Sequence, residues 1–173
     1  MDSMPSYVRI LIDIVIIIAL AATSVYVYRE YGDAIKAWFI EDDRVVVFIE
    51  NLAVSVTIAD DAEERAQGLS GVPMLEELEG KFFIFDEEGY HRFWMKDMLF
   101  PIDIIFIDET FTVVDIVENV LPETYPTTYT SRAPARFVLE TNAFFARSFS
   151  VEVGDRVIVP PRYLPDDLKQ NLQ

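Results

Sequence analysis

The length, composition and charge of the chain exclude several classes of protein. Its 173 residues suffice for one domain plus an appendage, and they include no cysteine and one histidine, His91. The lack of cysteine excludes disulfides, thiolate catalysis and iron–sulfur clusters, and a single histidine argues against a His-based triad or a multi-histidine metal site. A net charge of −16 repels phosphate backbones. We therefore predict no nucleic-acid partner, no metal and no cofactor.

The first predicted element is an apolar segment from Ile10 to Tyr28, in which Asp13 is the one charged residue. As a helix with a rise of ~1.5 Å per residue it would extend roughly 28 Å, close to the ~30 Å hydrocarbon core of a bilayer. A cleaved signal peptide is one alternative, but the apolar run continues past the small residues Ala19, Ala21 and Ala22. A core helix is another, although such helices are rarely apolar on all faces. We predict an uncleaved anchor over residues 1–28, with membrane contact through a single transmembrane helix at 10–28.

Residues 29–44 are predicted to form an amphipathic, acidic linker. From Tyr31 onward, aromatic and aliphatic residues recur at i, i+4, i+7 and i+8, and Glu41, Asp42 and Asp43 then form an acidic run. The lysine and arginine residues on the two sides of the anchor do not decide its orientation. The very short N-terminal tail and the acidic residues after the anchor favour an extracytoplasmic domain.

Short strands dominate the next segment, residues 45–160, and a tail follows at 161–173. Strands are predicted at 45–49, 52–58, 82–85, 111–117, 137–140 and 156–159. Asp60 and Asp61 each stand three residues before a glutamate, a capping-box pattern that predicts a short helix through Gln67, ending at Gly68. Many short strands with one or two short helices indicate a mainly β domain, either a sandwich or a barrel.

The segment from Arg92 to Asp108 contains the densest mixture of aromatic, proline and charged residues in the chain. We predict that His91–Lys96 and Ile102–Asp108 form a hairpin around the loop Asp97–Pro101, preceded by a turn at Asp86–Gly89. Polar groups interleaved with large apolar ones are typical of a satisfied core network or of a lined pocket.

Five blocks of sequence, in order, resemble the family known as domain of unknown function 192. The blocks are ERAQGLSG (Glu64–Gly71), GKFFIFD (Gly80–Asp86), FWMKDMLFPIDIIFID (Phe93–Asp108), ARFVLETNA (Ala135–Ala143) and VGDRV (Val153–Val157). The resemblance implies a jelly-roll-like β-sandwich, often found behind a signal sequence or membrane anchor, and it leaves the activity open because none is established for the family. Ser70 stands where methionine is common, GKFF replaces the commoner GMLF, and Phe144 replaces the glycine that usually follows the NA pair.

A candidate ligand-binding site follows from the alternation of side chains along strands. Trp94 and Lys96 share one strand face, and Asp103 would face them across the hairpin. The candidate residues are Arg65, Trp94, Lys96, Asp97, Asp103 and Glu140. Trp94 would offer a stacking plate, the cations would donate and the carboxylates would accept hydrogen bonds from a small polar ligand. The alternative is purely structural: Arg65 or Lys96 pairs with Asp103 or Glu140 and holds the sandwich together.

No reaction follows from these residues, so no catalytic residue is predicted. The function that we predict is a membrane-anchored, extracytoplasmic, non-catalytic domain that binds a small polar ligand, a glycan or an envelope partner. One alternative is a hydrolase that acts on extracytoplasmic polymers through paired carboxylates among Asp97, Asp103 and Glu140. Another is a structural component of the cell envelope.

Overall fold

The structure, a computed structural model, describes residues 44–170 and ten helical positions before them, at 13, 16, 17, 19–21, 23, 25, 26 and 29. Most of the predicted anchor at 10–28 and nearly all of the linker at 29–44 therefore lie outside the described residues. No helix among the described residues is long and apolar enough to cross a membrane. The chain divides into two compact units between Asp43 and Arg44, and the second unit holds the fold below.

Strands account for most of the regular structure between residues 44 and 170, which confirms the mainly β prediction. They are β1 (Val45–Ile49), β2 (Leu52–Ala59), β3 (Glu79–Gly89), β4 (Phe93–Trp94), β5 (Ile102–Ile107), β6 (Val113–Val120), β7 (Thr128–Tyr129), β8 (Ala135–Asn142) and β9 (Val157–Ile158). The short helices are α1 (Ala62–Gln67), α2 (Phe145–Phe149) and α3 (Asp166–Gln170), with 3₁₀ turns at Pro122–Thr124 and Pro161–Tyr163.

Seven of these strands form one curled sheet in the order β6-β5-β8-β3-β2-β1-β9, and β4 pairs with β7 in a separate ribbon. Neighbouring strands are antiparallel except β2 and β3, which are parallel. The two ends of the sheet meet: the backbone N–H of Val113 donates to the carbonyl of Asp155, and that of Val157 donates to the carbonyl of Phe111. These bonds close the sheet toward a barrel.

Both faces of the sheet carry core residues. On β5, Ile105 and Ile107 join a cluster that includes residues of α2, and we call that side the α2 face. Ile104 and Phe106 join a cluster on the opposite side, which α1 and the residues after it cover, and we call it the α1 face. Every residue of β5 is buried. Burial on both faces explains the nearly continuous apolar run in this part of the sequence.

The predicted hairpin is wrong. Only Phe93 and Trp94 of its first arm form a strand, and they pair with β7. Both edges of β5 are already occupied, by β6 on one side and β8 on the other. Since a strand has two edges, none is left for residues 91–96. The predicted turn at Asp86–Gly89 is also wrong, because β3 continues to Gly89, which pairs with Ala135 after an irregularity in register.

Helix α1 confirms the capping-box prediction. The N-cap Asp61 accepts a hydrogen bond from the backbone N–H of Glu64 at 2.8 Å, and the side chain of Glu64 accepts one from the N–H of Asp60 at 3.2 Å. The helix ends at Gly68, which has a φ of 52°. Local chemistry alone thus determines where this helix begins and ends.

The described part of the predicted C-terminal tail, residues 161–170, packs against the domain. Leu164 and Leu168 are buried in the core of the α2 face. Asp167 of α3 accepts two hydrogen bonds from the buried Arg136 of β8, at 2.6 and 2.8 Å. Because Arg136 also donates to the carbonyls of Phe85 and Asp86, one guanidinium joins β8, β3 and α3.

Candidate functional site

A cavity of about 230 Å³ lies on the α1 face, between the end of α1 and strands β3, β4 and β8. Its apolar part is aromatic: the ring centroid of Phe93 lies 5.1 Å from that of Phe83 and 6.3 Å from that of Phe85, both in edge-to-face geometry. Edge-to-face packing holds these rings in fixed relative positions. The polar side chains around them include three of the six predicted site residues, namely Arg65, Trp94 and Glu140.

Glu140 is the buried polar group of the cavity. It is 4% exposed, and its Oε2 has no hydrogen-bond partner among the described residues. Burial raises the pKa of Glu140 to about 8, against the opposing effect of the Lys81 ammonium on the neighbouring strand. At neutral pH the carboxyl is therefore protonated and can donate a hydrogen bond. The carboxyl lies beneath the end of α1, since a β-carbon on Gly68 would stand 3.8 Å from Oε2.

Arg65 extends from α1 along the cavity wall. Its Nη1 donates to the carbonyls of Asp60 and Ile84, the latter at 2.9 Å, and its guanidinium lies 5.3 Å from the centroid of the Phe85 ring. The ring of Phe85 also stacks on His91, with centroids 3.5 Å apart. Burial lowers the pKa of His91, with a smaller contribution from the Arg65 charge, and both effects favour the neutral imidazole. Hydrogen bonds to backbone carbonyls and ring stacking thus hold the side chains of this cavity wall in place.

Trp94 lies in β4 and Arg92 lies just before it, and both side chains are on the exposed side of this segment. Trp94 is 48% exposed, whereas Phe93 between them is buried. Arg92 was not among the predicted site residues, although it lines the cavity. The signal that identifies it is the alternation that pointed to Trp94: residues two apart on an extended segment share a face.

Lys96 and Asp97 do not line the cavity with their side chains, which are exposed. Their backbone carbonyls hold the cavity wall instead: that of Lys96 accepts a hydrogen bond from the Ser70 hydroxyl at 2.8 Å, and that of Asp97 from the N–H of Gly71 at 2.9 Å. The chain turns here, since Asp97 has a φ of 55°. This turn ends the strand-like alternation that placed Lys96 beside Trp94.

Asp103 lies on the opposite face of the sheet, so its predicted convergence with Trp94 and Glu140 is wrong. It is fully buried, and its carboxylate accepts hydrogen bonds from three backbone N–H groups. The donors are Asn119 at 2.8 Å, Phe144 at 3.0 Å and Ala146 at 3.0 Å. In the register of β5 and β8, Glu140 is opposite Ile104 and Asp103 is opposite Thr141. Since successive strand residues point to opposite faces, the two carboxyl groups face away from each other.

The ion pairs predicted by the structural alternative are also absent within the described part of the chain. Neither Arg65 nor Lys96 pairs with Asp103 or Glu140, whereas the buried Asp115 pairs with Arg132 at 2.5 Å. The described residues contain no group of three histidine, aspartate or glutamate side chains that could hold a metal ion.

Comparison with known proteins gives one family and several similar structures. The family model DUF192, described as an uncharacterised ACR, matches residues 45–159. A crystal structure from Sinorhizobium meliloti 1021, of a protein provisionally named a transcription regulator, is 31% identical, with a TM-score of 0.62 over 67% of this chain and 92% of that one. A protein of unknown function from Novosphingobium aromaticivorans DSM 12444 is 28% identical, with a TM-score of 0.64 over 66% of this chain and 84% of that one. No curated protein matches the chain.

Proposed function

The chain belongs to the DUF192 family, and because that family is uncharacterised, we propose a function from the cavity itself: a non-catalytic domain that binds a small polar ligand. The observation that carries the proposal is the side chain of Glu140. A buried carboxyl without a partner costs free energy unless a hydrogen bond satisfies it. Its position in an aromatic cavity means that a bound ligand can supply that bond.

The other features of the cavity are those of a binding site for a small molecule. Binding sites for small molecules are concave and mostly apolar, with a few polar groups that fix the orientation of the ligand. Here the aromatic rings provide the apolar surface, Arg65 and Glu140 provide donors, and the half-exposed Trp94 also lines the cavity.

We also propose the cellular location and the fold type of the domain. Residues 10–28 anchor the chain in a membrane, the domain lies outside the cytoplasm, and its curled sheet is a jelly-roll-like sandwich. The apolar run before residue 29 and the family resemblance support this part. The ligand would then reach the cavity from the extracytoplasmic side. A glycan or an envelope protein is the other partner proposed for the same setting.

Two other functions have less support. A hydrolase with paired carboxylates needs a second carboxyl group near the first, and Glu140 is the one carboxyl among the residues that line the cavity. The name of the Sinorhizobium protein suggests regulation of transcription, but a net charge of −16 opposes DNA binding. A structural role in the envelope would leave the cavity without a ligand.

A thermal-shift screen of the full chain in mild detergent, against sugars, organic acids and amino-acid derivatives, tests the proposal. Trp94→Ala is the cavity variant, and Lys96→Ala is the matched control because Lys96 is exposed nearby and outside the cavity. We expect a ligand to raise the melting temperature of the unmodified chain and of the control, with a smaller shift in Trp94→Ala. Since Trp94 is 48% exposed, its removal should destabilise the fold by well under the ~3–5 kcal/mol expected for a buried tryptophan.

Three results would contradict the proposal. Turnover of a compound that is lost in Glu140→Gln would make the domain an enzyme. No shift with any compound, or an equal shift in Trp94→Ala, would mean that the cavity is not the binding site and would favour a structural role.

A further inference from the structure

The charge of the cavity differs in sign from that of the chain as a whole. The chain has 30 acidic and 14 basic residues, yet two arginines, Arg65 and Arg92, line the cavity beside a single carboxyl group. That carboxyl, Glu140, is uncharged at neutral pH because of its burial. An anion that approaches the cavity therefore meets two guanidinium groups and no opposing charge from the lining.

The two arginines have donors to spare within the described part of the chain. Arg92 is exposed and forms no hydrogen bond or ion pair there. Arg65 uses Nη1 for both of its carbonyl bonds, and its Nε and Nη2 donate to no described residue. A guanidinium presents its donors in a planar fork that matches a carboxylate.

The other lining residues favour a flat apolar body over a polyhydroxylated one. Phe83, Phe85 and Phe93 present ring faces and edges. The neutral polar side chains are already engaged: the Ser70 hydroxyl donates to the carbonyl of Lys96, and the Gln67 amide donates to the carbonyl of Ser70. Few partners remain for the many hydroxyls of a sugar. The volume of about 230 Å³ lies below the ~300 Å³ at which pockets for drug-sized ligands begin, so the ligand is small.

We propose that the cavity selects small organic acids with a flat, apolar body, whose carboxylate is bound by Arg65 and Arg92 while Glu140 donates a hydrogen bond to an oxygen of the ligand. This proposal rests on the proposed function, since it names the class of ligand for the same cavity. It assigns Arg92 and Glu140 as the residues that determine specificity for an anion.

Binding of the acid should depend on pH through Glu140. The charged group that acts on Glu140 is Lys81 on the neighbouring strand β3, and Arg65 on α1 and Arg92 before β4 line the same cavity. Strand β5 presents Ile104, and the turn after β4 presents Met98. Ionisation of Glu140 above its pKa of about 8 therefore adds the one negative charge that repels an anionic ligand.

Titration calorimetry on the full chain with benzoate and its neutral analogue benzamide tests this inference. We expect benzoate to bind more tightly than benzamide, and Arg92→Gln to weaken benzoate roughly tenfold. Arg162→Gln is the matched control, because Arg162 is an exposed arginine outside the cavity, and it should leave the affinity unchanged. From about pH 6 to about pH 9, benzoate affinity should fall in the unmodified chain and stay constant in Glu140→Gln.

The outcomes separate this inference from the proposed function. Benzamide binding as tightly as benzoate, or an unchanged benzoate affinity in Arg92→Gln, would overturn selection for acids. In either case, binding that is lost in Trp94→Ala would leave the proposed function intact. If neither compound binds and the wider screen shows no ligand, both proposals fail. The pH profile of the unmodified chain requires no variant, so a variant that fails to fold does not remove the test.

Discussion

Glu140 is the residue at which the cavity and the stability of the fold are linked. Burial raises its pKa from 4.5 to about 8 in the folded chain. Between these values the unfolded carboxyl has lost its proton and the folded one has kept it. Raising the pH therefore lowers the free energy of unfolding, by about 1.4 kcal/mol per pH unit, and the decrease ends above about pH 8, where both states are ionised.

We predict that Glu140→Gln removes this decrease, because glutamine fills the same space and does not titrate. Chemical denaturation at several pH values between 4.5 and about 8 gives the free energy of unfolding at each pH. The slope of this free energy against pH is then compared between the variant and the unmodified chain. The control is Glu123→Gln, since Glu123 is exposed and should leave the slope unchanged. Equal slopes for both variants would show that Glu140 is ionised in the folded state.

Phe144 occupies a backbone conformation that is suited to glycine. Its φ of 68° and ψ of 8° lie in the left-handed region, its side chain is 46% exposed, and its N–H donates to Asp103. The family resemblance implies a glycine at this position. The loop therefore keeps the conformation that glycine would adopt, and the β-carbon of Phe144 adds strain.

We predict that Phe144→Gly raises the free energy of unfolding by about 1 kcal/mol, because it relieves a left-handed conformation that disfavours a β-carbon. Phe144→Ala, the control, keeps the β-carbon and should give no gain. Denaturation of the three chains under identical conditions decides the matter. A gain in Phe144→Ala equal to that in Phe144→Gly would assign the effect to the exposed ring instead.

At the scale of elements, the pairing of β3 with β8 positions Glu140 and depends on a glycine. A β-carbon on Gly80 would lie 2.6 Å from the backbone oxygen of Glu140 and 2.9 Å from the side chain of Leu139. Backbone atoms cannot move away without separating the strands. We predict that Gly80→Ala lowers the free energy of unfolding by about 3 kcal/mol.

The same strand provides the control for that prediction. At Gly89 a β-carbon would come no closer than 3.6 Å to His91, an ordinary contact, and Gly89 does not have a positive φ. Gly89→Ala should therefore change stability by less than ~1 kcal/mol. Urea denaturation of both variants gives the comparison, and equal effects would mean that β3 shifts to accommodate the added methyl group.

The elements also show the limit of reasoning from local pattern. Helix α1 follows from Asp61, Glu64 and Gly68, all within a few residues of each other. Strand β1 follows from a compact β-branched run, and β2 follows from alternation. The hairpin prediction failed because the pattern within 91–108 does not reveal that β6 and β8 occupy both edges of β5. Strand partners distant in sequence are set by the whole sheet.

At the scale of the whole molecule, an excess of negative charge opposes folding. The chain carries a net charge of −16, and the folded state brings these charges closer together than the unfolded state does. Salt screens this repulsion, since the Debye length falls from ~10 Å at 0.1 M to ~3 Å at 1 M.

We predict that the melting temperature of the full chain rises as NaCl increases from about 0.1 M to about 1 M, and that most of the rise occurs at the lower concentrations. Potassium chloride of equal ionic strength is the control, because screening does not distinguish the two cations. A melting temperature that is constant or falls with salt would show that favourable ion pairs, such as Arg136–Asp167, outweigh the repulsion.

The sequence by itself determined the features that depend on neighbours along the chain or on composition. It indicated the mainly β class, the capped helix α1, the family blocks and three cavity residues: Arg65, Trp94 and Glu140. Only the tertiary structure decided which face each polar group occupies and what satisfies it. Asp103 is bound by three backbone N–H groups on the α2 face, while Glu140 has an unpartnered oxygen on the α1 face. The reason is physical: alternation gives the relative face of residues within a strand, but the register between distant strands and the closure of the sheet determine which groups meet.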